Sequence, residues 1–244
     1  MGVRALRTPW KADLHCHTHY SRDCLTTPQQ LVEACVGRGI TCLAVTDHDA
    51  IDGAFEVQQL APFRVIIGEE IKTARGEIIG LFLQEFIPPG LPAMETIERI
   101  RAQGGLVYVP HPFDFVRRST LAYDELQRIW PYVDILEVFN ARTISRARNA
   151  QGARFAQEHG LVKAAGSDAH TPGEIGSTYN LIEPFDGSQD FLEKLRRAEL
   201  RMSASPLVVH LYSRLAKWSR RLGLRPLPPQ RRSAGPASPS GRPS

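Results

Sequence analysis

Two histidines one residue apart, His15 and His17, stand close to the start of the chain. Side chains alternate along a β-strand, so both imidazoles point to the same side if the residues around them form a strand. Other residues that bind metals well follow in order, and nearly every one comes after a short apolar, β-branched run: Asp23, His48, Glu70, His111, Asp168 and His170. This spacing predicts that several strand ends bring metal ligands together.

The residue types narrow the choice of metal. Imidazole and carboxylate groups together suit zinc, manganese or iron rather than a copper thiolate centre. Several carboxylates and histidines in one cluster favour two or three ions. In such sites, ions about 3.5–4 Å apart bridge a hydroxide and bind a phosphate. We therefore expect two or three divalent ions (Mn, Zn or Fe) as cofactors, and a hydrolytic reaction.

The elements that must position these ligands alternate between strand and helix. Short apolar runs predict seven strands, at 12–16, 41–46, 63–67, 77–83, 106–110, 134–139 and 162–165. Helical patterns predict helices at 27–38, 51–60, 92–103, 123–130, 146–159 and 191–199. The strand at 77–83 is expected to pair with its predecessor across the turn at Arg75 and Gly76. Buried parallel strands are continuous apolar runs, as these are. The predicted fold class is α/β, a distorted seven-stranded (β/α) barrel with its chemistry at the carboxyl ends of the strands.

Composition is that of an ordinary globular protein, with 42% apolar and 23% charged residues. No apolar run of about 18 residues exists, so no membrane span is expected. The formal net charge of +4 is unevenly distributed. Residues 213–244 contain eight basic residues and no acidic one, which leaves a net charge of −4 for residues 1–212. Any nucleic-acid binding inferred from the overall charge would concern this basic end alone.

The predicted compartment is the cytoplasm. The first residues contain no apolar segment of the kind found in secretory signals. Four cysteines lie within the first 42 residues, and without a secretory signal we expect them to be reduced thiols. They form no CxxC pair, which argues against a structural zinc site.

The character of the chain changes after residue 204, where we place the end of the barrel domain (1–204). Residues 205–224 predict an amphipathic basic helix, whose apolar face consists of Leu207, Leu211, Leu215, Trp218 and Leu222. Two interpretations remain open: the helix packs on the barrel, or it docks on a partner or a membrane surface. Residues 225–244 are rich in Pro, Ser, Gly and Arg and are predicted to be a disordered tail.

The chemical residues fall in short motifs that follow one another in a characteristic order. They are DLHCHT with YSRD, then TDHD, GEEI, HPFD and GSDAH. In order and spacing, from about residue 12 to residue 182, they closely resemble the polymerase-and-histidinol-phosphatase (PHP) family of metal-dependent phosphoesterases. The resemblance implies a PHP-like distorted barrel with a two- or three-metal site at the strand ends. The segments GEIIGLFL and EVFNAR are similar to those of small stand-alone members of the family.

The resemblance also implies how the ligands are shared. His15, His17, Glu70 and Asp168 would hold one ion. Asp23 and His48, with His170 near, would hold a second, and Glu70 and His111 would contact another. Asn140 occupies a position where some relatives have histidine, and it completes the predicted metal set. Within this set, the predicted catalytic residues are Glu70, Asp168 and His170. Asp168 or His170 would assist the leaving oxygen.

Three arginines follow ligand-bearing strand ends: Arg117, Arg118 and Arg142. Arginine binds phosphate through two parallel hydrogen bonds, so we predict that these residues bind substrate. The leading hypothesis is a metal-dependent phosphoric ester hydrolase, in which a metal-bridged hydroxide attacks a small phosphorylated metabolite or nucleotide. No insertion offers a nucleic-acid platform, so we expect no stable nucleic-acid partner.

Two other interpretations stay open. The barrel could be a non-catalytic metal-binding scaffold or regulatory protein, which would use its basic C-terminal helix and tail for weak docking to a partner or to nucleic acid. The second alternative is an amidohydrolase-type metallohydrolase, since that superfamily also places an H-x-H pair on its first strand. The residues Asp168-Ala169-His170 and the TDHD motif argue against the amidohydrolase reading.

Overall fold

A computed structural model describes residues 8–230 of the chain. The strands are β1 (Trp10–Cys16), β2 (Cys42–Val45), β3 (Arg64–Thr73), β4 (Gly76–Leu81), β5 (Leu106–Val109), β6 (Ile135–Asn140), β7 (Val162–Gly166), β8 (Tyr179–Ile182) and β9 (Glu199–Arg201). The helices are α1 (Pro28–Arg38), α2 (Asp52–Leu60), α3 (Ala93–Ala102), α4 (Tyr123–Ile129), α5 (Arg146–Glu158), α6 (Gly187–Leu195) and α7 (Val209–Arg221), with a short 3₁₀ helix at Trp130–Tyr132.

All nine strands belong to one sheet with the order β7-β6-β5-β4-β3-β2-β1-β8-β9. The predicted α/β barrel class is confirmed, and the seven predicted strands correspond to β1–β7. The strand count differs from the prediction because β8 and β9 extend the sheet beyond β1 by antiparallel pairing. These two strands have only four and three residues, and β9 (ELR) contains no apolar run that would have marked it.

The strand β4 runs opposite to its neighbours within an otherwise mostly parallel set. It forms the predicted hairpin with β3, in which Thr73 pairs with Gly76. Gly76 has a φ of 128°, and a side chain there would collide with the backbone of Leu121, so glycine is needed at this turn. The hairpin brings the beginning of β4 to the same edge of the sheet as the end of β3.

The barrel closes where β7 meets β1. Beyond β7, Ala169 forms a parallel bridge with Cys16 at the end of β1. The buried carboxylate of Asp13 accepts a hydrogen bond from the backbone N–H of Ser167, at 3.1 Å. The buried amide of Asn180 donates to the backbone oxygens of Ala12 and Ala165, at 3.0 and 2.8 Å. Because buried polar groups are stable only when paired, these side chains fix the two strands in one arrangement.

Two apolar clusters lie on the two sides of the sheet. The inner cluster fills the barrel with residues such as Leu14, Ile66 and Tyr108, and α6 covers it through Phe191. The outer cluster lies between the strands and the surrounding helices and includes Cys16. An irregularity in the β1–β2 register between Asp13 and Cys16 inserts one extra residue into β1. Such bulges redirect side chains, and this one lies immediately before the H-x-H pair.

The helix α7 lies on the barrel through its smallest residues. Val209, Ser213 and Ala216 are buried, and the Arg142 guanidinium donates to the Ser213 hydroxyl at 2.9 Å. The predicted apolar face is directed outward, with Leu211 53% and Trp218 59% exposed. The helix therefore packs on the barrel, as one of the two interpretations expected. The contact is made by its small residues and not by the predicted apolar face.

Two further predictions need correction or remain open. The last core helix was predicted at 191–199, yet α6 ends at Leu195 because residues 199–201 pair as β9. The predicted domain limits at 205–224 and 225–244 remain predictions: residues 226–230 form no helix or strand, and residues 231–244 lie outside the described part of the chain. Within residues 8–230, none of the helices combines the length and apolar character that crossing a bilayer requires. The four cysteines are free thiols, as expected.

A glycine at the barrel seam gives a test of this packing. At Gly166, the last residue of β7, a Cβ atom would meet the Glu137 carboxylate and the Cβ of His15. We expect Gly166→Ala to lower the free energy of unfolding by about 1–3 kcal/mol, because the buried neighbours must shift to make room. Urea denaturation measures this difference.

Gly37 in α1 is the matched control, since nothing lies within 4 Å of a Cβ atom placed there. Gly37→Ala should leave the protein as stable or about 0.5–1 kcal/mol more stable, because alanine favours the helix. Equal stability of Gly166→Ala and wild type would contradict the tight seam.

Candidate metal centre

The structure brings the predicted metal-binding residues together at one end of the barrel. Each comes from the carboxyl end of a strand or from the loop that follows it. They are His15 and His17 after or within β1, Asp23 in the next loop, His48 after β2, Glu70 in β3, His111 after β5, Asn140 at the end of β6, and Asp168 and His170 after β7. This edge is where barrels of parallel strands place their reactive groups.

Glu70 lies at the centre of the cluster. Its Oε2 atom is 3.3 Å from His15 Nε2, 3.4 Å from His17 Nε2 and 3.2 Å from His48 Nδ1. Its Oε1 atom is 3.1 Å from His111 Nε2. One carboxylate therefore meets four imidazoles from three segments, as a group that bridges two cations would.

The inner part of the cluster combines His15, His17 and Asp168. Asp168 Oδ1 lies 3.7 Å from His15 Nε2 and 3.3 Å from His17 Nε2. All three side chains are at most 1% exposed. These three residues form one compact group of nitrogen and oxygen donors, with ligand atoms within 4.8 Å of one another. Glu70 Oε2 adjoins the group through its contacts with both histidines.

The outer part combines Asp23, His48 and His170. Asp23 Oδ1 lies 3.2 Å from His170 Nε2 and 3.7 Å from His48 Nε2. The His48 side chain is 23% exposed, so this side of the cluster opens to solvent. The second carboxylate oxygen of Asp23 pairs with Lys217 Nζ of α7 at 3.0 Å, which sets α7 beside this opening.

The hydrogen bonds around three of the imidazoles prepare them to bind metal. His15 Nδ1 faces the Glu137 carboxylate at 3.0 Å, and His170 Nδ1 faces the backbone oxygen of Asp168 at 2.8 Å. Both partners are acceptors only, so each ring donates from Nδ1 and directs Nε2 toward the cluster.

His17 reaches the same state through a serine. The Ser21 hydroxyl donates to Asp47 at 2.6 Å, so its oxygen is left to accept from His17 Nδ1 at 3.1 Å. Because the ring carries its proton on Nδ1, Nε2 has a free lone pair, and this atom makes no hydrogen bond. Asp47 is thus a positioning group, because its carboxylate accepts from Ser21 and Thr18.

Buried atoms without hydrogen bonds converge on the cluster. They include His17 Nε2, Asp23 Oδ1, Glu77 Oε2 and Asp168 Oδ1. Buried lone pairs that make no hydrogen bond are costly, and a divalent cation bound here would satisfy these four. Imidazole nitrogens with carboxylate oxygens are the donor set of zinc, manganese and iron, and these residues therefore fit the predicted ions.

The charges of the cluster support the same conclusion. Burial lowers the pKa of His17 well below its usual value, and the nearby His170 and His48 lower it further, so His17 is a neutral donor. Burial alone would raise the pKa of Glu70, but His48 and His15 outweigh it and hold the pKa well below its usual range. Burial, followed by the charge of Glu70, raises the pKa of Glu77 to about 7. Carboxylates crowded in this way take up either protons or metal ions.

Two of the ligand positions also have unusual backbone conformations. Asp168 has a φ of 52° and His111 a φ of 31°, although neither is glycine. Such conformations persist only where surrounding contacts hold them, and they concentrate at functional sites. At His111 the backbone N–H donates to Glu137 at 2.7 Å, and at Asp168 it donates to the His15 backbone oxygen at 2.8 Å.

The three predicted substrate-binding arginines have different surroundings. Arg117 lies at the cluster, where its Nη1 atom pairs with Asp168 Oδ2 at 2.5 Å and its Nη2 atom donates to Asn140 at 3.3 Å. Arg118 is exposed. Arg142 is only 5% exposed, and its guanidinium is occupied by Ser213, the Val209 backbone oxygen and Glu174. Arg142 also donates to the Asp168 backbone oxygen at 3.4 Å, so its guanidinium connects α7 with the loop after β7. Its role in substrate binding stays a prediction.

Asn140 lies within the cluster, but its amide is already fully used. It donates to Glu137 and Asp168, at 2.9 and 3.2 Å, and its oxygen accepts from Arg117 and from the backbone of Arg142. In this arrangement Asn140 connects neighbouring side chains and offers no free donor to a metal.

Sequence reasoning missed two acids of this site. Glu137 accepts hydrogen bonds from His15, Tyr108, Asn140 and the His111 backbone. Glu77 lies 3.6 Å from His48 and joins a fourth group of possible ligands with Glu70. A signal existed for each: Glu137 interrupts an apolar strand, and the predicted hairpin places Glu77 opposite Lys72, on the same face as Glu70.

Comparison with known proteins agrees with this geometry. A family model described as PHP domain matches residues 13–167, and one described as PHP-associated matches residues 146–200. An uncharacterised protein of Methanocaldococcus jannaschii is 37% identical over 211 residues, which span 81% of this chain and 85% of the relative.

Two solved structures share the fold at low sequence identity. One is a two-domain protein of Bacteroides vulgatus containing a predicted PHP-like metal-dependent phosphoesterase, with a TM-score of 0.64, 17% identity and coverage of 83% of this chain and 69% of that one. The other is the lesion-specific endonuclease EndoQ of Pyrococcus furiosus, with a TM-score of 0.61, 19% identity and coverage of 78% and 57%. The family matches extend over most of the described residues and include nearly all the clustered ligands, and the chain therefore belongs to the PHP domain family.

Proposed function

We propose that this protein is a metal-dependent phosphoesterase that hydrolyses a small phosphorylated metabolite or a nucleotide. The observation that carries the proposal is the set of buried lone pairs around Glu70, with three imidazoles held so that Nε2 faces the cluster. The family and the fold of the neighbouring structures support a metal-dependent hydrolase.

The residues divide into groups that would hold two or three divalent ions. His15, His17, Glu70 and Asp168 form the inner group, and Asp23, His48 and His170 form the outer one. His111, Glu70 and Glu77 offer donors for a further ion. When bound, such ions supply an activated water near neutral pH and positive charge for the transferring phosphoryl group.

The side chains of the chain supply binding and proton positions. Arg117 presents a guanidinium beside Asp168 and Asn140, where it can bind a phosphate oxygen by two N–H groups. His170 lies at the opening with Asp23, and its ring can hold a proton near a leaving oxygen. Lys217 adds a second cation at the rim.

The position of α7 favours a small substrate. Its Lys217 contacts Asp23, and Arg142 ties its first turn to the barrel, so the helix borders the opening of the cluster. A long duplex would have to displace this helix to approach the ligands. The endonuclease of Pyrococcus furiosus shares the fold, so hydrolysis of a nucleic acid belongs in the same assay panel.

Turnover tests this proposal directly. Protein stripped of metal and reloaded with manganese, zinc or iron should release phosphate from one or more nucleotides or sugar phosphates. His17→Ala should lower kcat/KM by more than about a hundredfold, because it removes a donor from the inner group. His159→Ala is the control, since His159 stacks on Trp130 away from the cluster.

Absence of turnover in a broad monoester and diester panel, with two or three ions bound per chain, would contradict the proposed enzyme. That result would favour the alternative of a metal-binding scaffold. Equal activity of His17→Ala and wild type would exclude this cluster as the reactive centre.

Glu137 gives a test that depends on metal affinity alone. Glu137→Gln keeps the size of the side chain but places an amide where His15, Tyr108 and Asn140 need an acceptor. Metal affinity should fall about 10–100-fold, as expected for a group that orients a ligand histidine. Titration against a chromophoric chelator measures the change.

Glu69→Gln is the matched control for that experiment. Glu69 is buried in the same barrel, and burial raises its pKa well above the usual range, so an amide replaces a neutral acid. It accepts a hydrogen bond from the Ile87 backbone and makes none to the cluster within residues 8–230. An equal loss of affinity in both variants would mean that Glu137 has no specific role.

Bound metal should also stabilise the fold. Ligand atoms from β1, β3 and the loop after β7 meet in one cluster, so an ion bound there joins distant parts of the chain. At a metal concentration about a hundred times the Kd, the free energy of unfolding should rise by about 2.7 kcal/mol, which raises Tm by about 5–10 °C. Thermal unfolding with and without a chelator measures this shift. An unchanged Tm would contradict tight binding by the folded protein.

A further inference from the structure

The outward side of α7 and the residues at its two ends carry a row of large apolar side chains. We call this row the outer face of α7: Leu207, Val208, Leu211, Tyr212, Leu215, Trp218, Leu222 and Leu224. Each of these side chains is between 49% and 67% exposed. Single exposed apolar residues are common on proteins, but a row of eight on one helix and its ends indicates a binding surface.

The outer face is flanked by basic residues on one side. Arg214, Lys217 and Arg221 follow one another around the helix between the buried side and the outer face. No acidic residue occurs after Glu199, whereas nine lysines and arginines do. The helix therefore carries a positive flank next to its apolar outer face, and the sequence after it is basic.

The helix is held firmly enough to present this surface. Its inner side is fixed by buried Val209 and Ala216, and Arg220 donates to the backbone oxygens of His19 and Cys24, at 2.6 and 2.8 Å. Arg142 holds its first turn. An ordinary surface helix buries its large apolar side chains. In α7 the small residues face the barrel and the large apolar ones face solvent.

Other segments of this chain do not fit the outer face. Residues 231–244 contain no large apolar residue, and residues 1–7 offer only Met1, Val3 and Leu6 for eight exposed side chains. A second copy would place two basic helices against each other, and α7 itself contains no acidic residue to offset their charge. Nucleic acid would suit the basic residues but gives aliphatic side chains nothing apolar to contact.

An anionic lipid bilayer satisfies both parts of the surface. Leucine and tryptophan enter the boundary between headgroups and acyl chains, and arginine and lysine pair with anionic headgroups. We propose that α7 docks the protein on an anionic membrane surface through its outer face, with the basic flank at the level of the headgroups. The inference is independent of the proposed phosphoesterase activity.

Docking would place the cluster of candidate metal-binding side chains close to the bilayer. Lys217 lies on the basic flank and at the same time contacts Asp23 of the cluster. The opening on the His48 side thus lies next to the helix that meets the lipid. A substrate held at or released near the membrane would reach the site over a short distance.

Vesicle binding by the full chain tests the proposal. The protein should co-sediment with phosphatidylcholine vesicles containing about 30% phosphatidylserine, and much less with phosphatidylcholine alone. A triple variant, Leu211→Gln with Leu215→Gln and Trp218→Ala, should lower the partition coefficient at least about tenfold. A double variant, Arg214→Gln with Arg221→Gln, should lower it about fivefold for each arginine removed.

Val36→Gln with Leu60→Gln is the matched control, because both residues are exposed and apolar but lie on α1 and α2. This variant should bind vesicles like wild type, and all variants should titrate metal like wild type. Unchanged vesicle binding by the triple variant would overturn the proposal. So would RNA or duplex binding in place of vesicle binding, or a concentration-dependent dimer that the triple variant loses.

Discussion

The buried carboxylate of Glu70 sets the main constraint on this structure. A charge removed from water is stable only with close counter-charges or metal ions. Glu70 is 1% exposed and meets four histidines from three segments: His15 and His17 at the end of β1, His48 after β2 and His111 after β5. The strands must therefore end at one level, and the loops after them must return to one point. The barrel does this because its parallel strands place their carboxyl ends at the same edge.

A layer of paired polar groups beneath the ligands holds this arrangement. Glu137 and the Ser21–Asp47 pair fix the rings of His15 and His17, and Asp13 joins the loop after β7 to β1. Both irregularities of strand register fall in strands of the site, one in β1 and one between Glu137 and Phe139 in β6. Each extra residue changes which side chains face inward near the strand end. These pairs hold the histidine rings in one orientation. They also leave no space beside Glu137 and His15 for a larger residue at position 166.

Much of this could be predicted from the sequence, because the signals were local. Apolar runs marked β1–β7, and a histidine or acid at the end of five of these runs marked the ligands. Features that depend on partners distant in the chain could not be read. The side of α7 that packs on the barrel consists of small residues, and Arg142 of the barrel binds it through Ser213. The hydropathy pattern alone predicted that the opposite, more apolar side would be buried. Likewise β9 forms because β8 offers it an edge to pair with. The position of Arg142 after a strand end could not reveal that its guanidinium meets α7 and the loop after β7.

The cluster is not uniform in its access to solvent. His15 and Asp168 are at most 1% exposed, whereas His48 is 23% exposed and Asp23 is 9% exposed at the side chain. An ion held by the inner donors can leave only when the barrel rim opens, but one held by the outer donors needs only the movement of surface side chains. Exchange rates within one molecule would then differ widely between positions. The metal content of a preparation would depend on how long it was dialysed, and a partly loaded form would retain its inner ion.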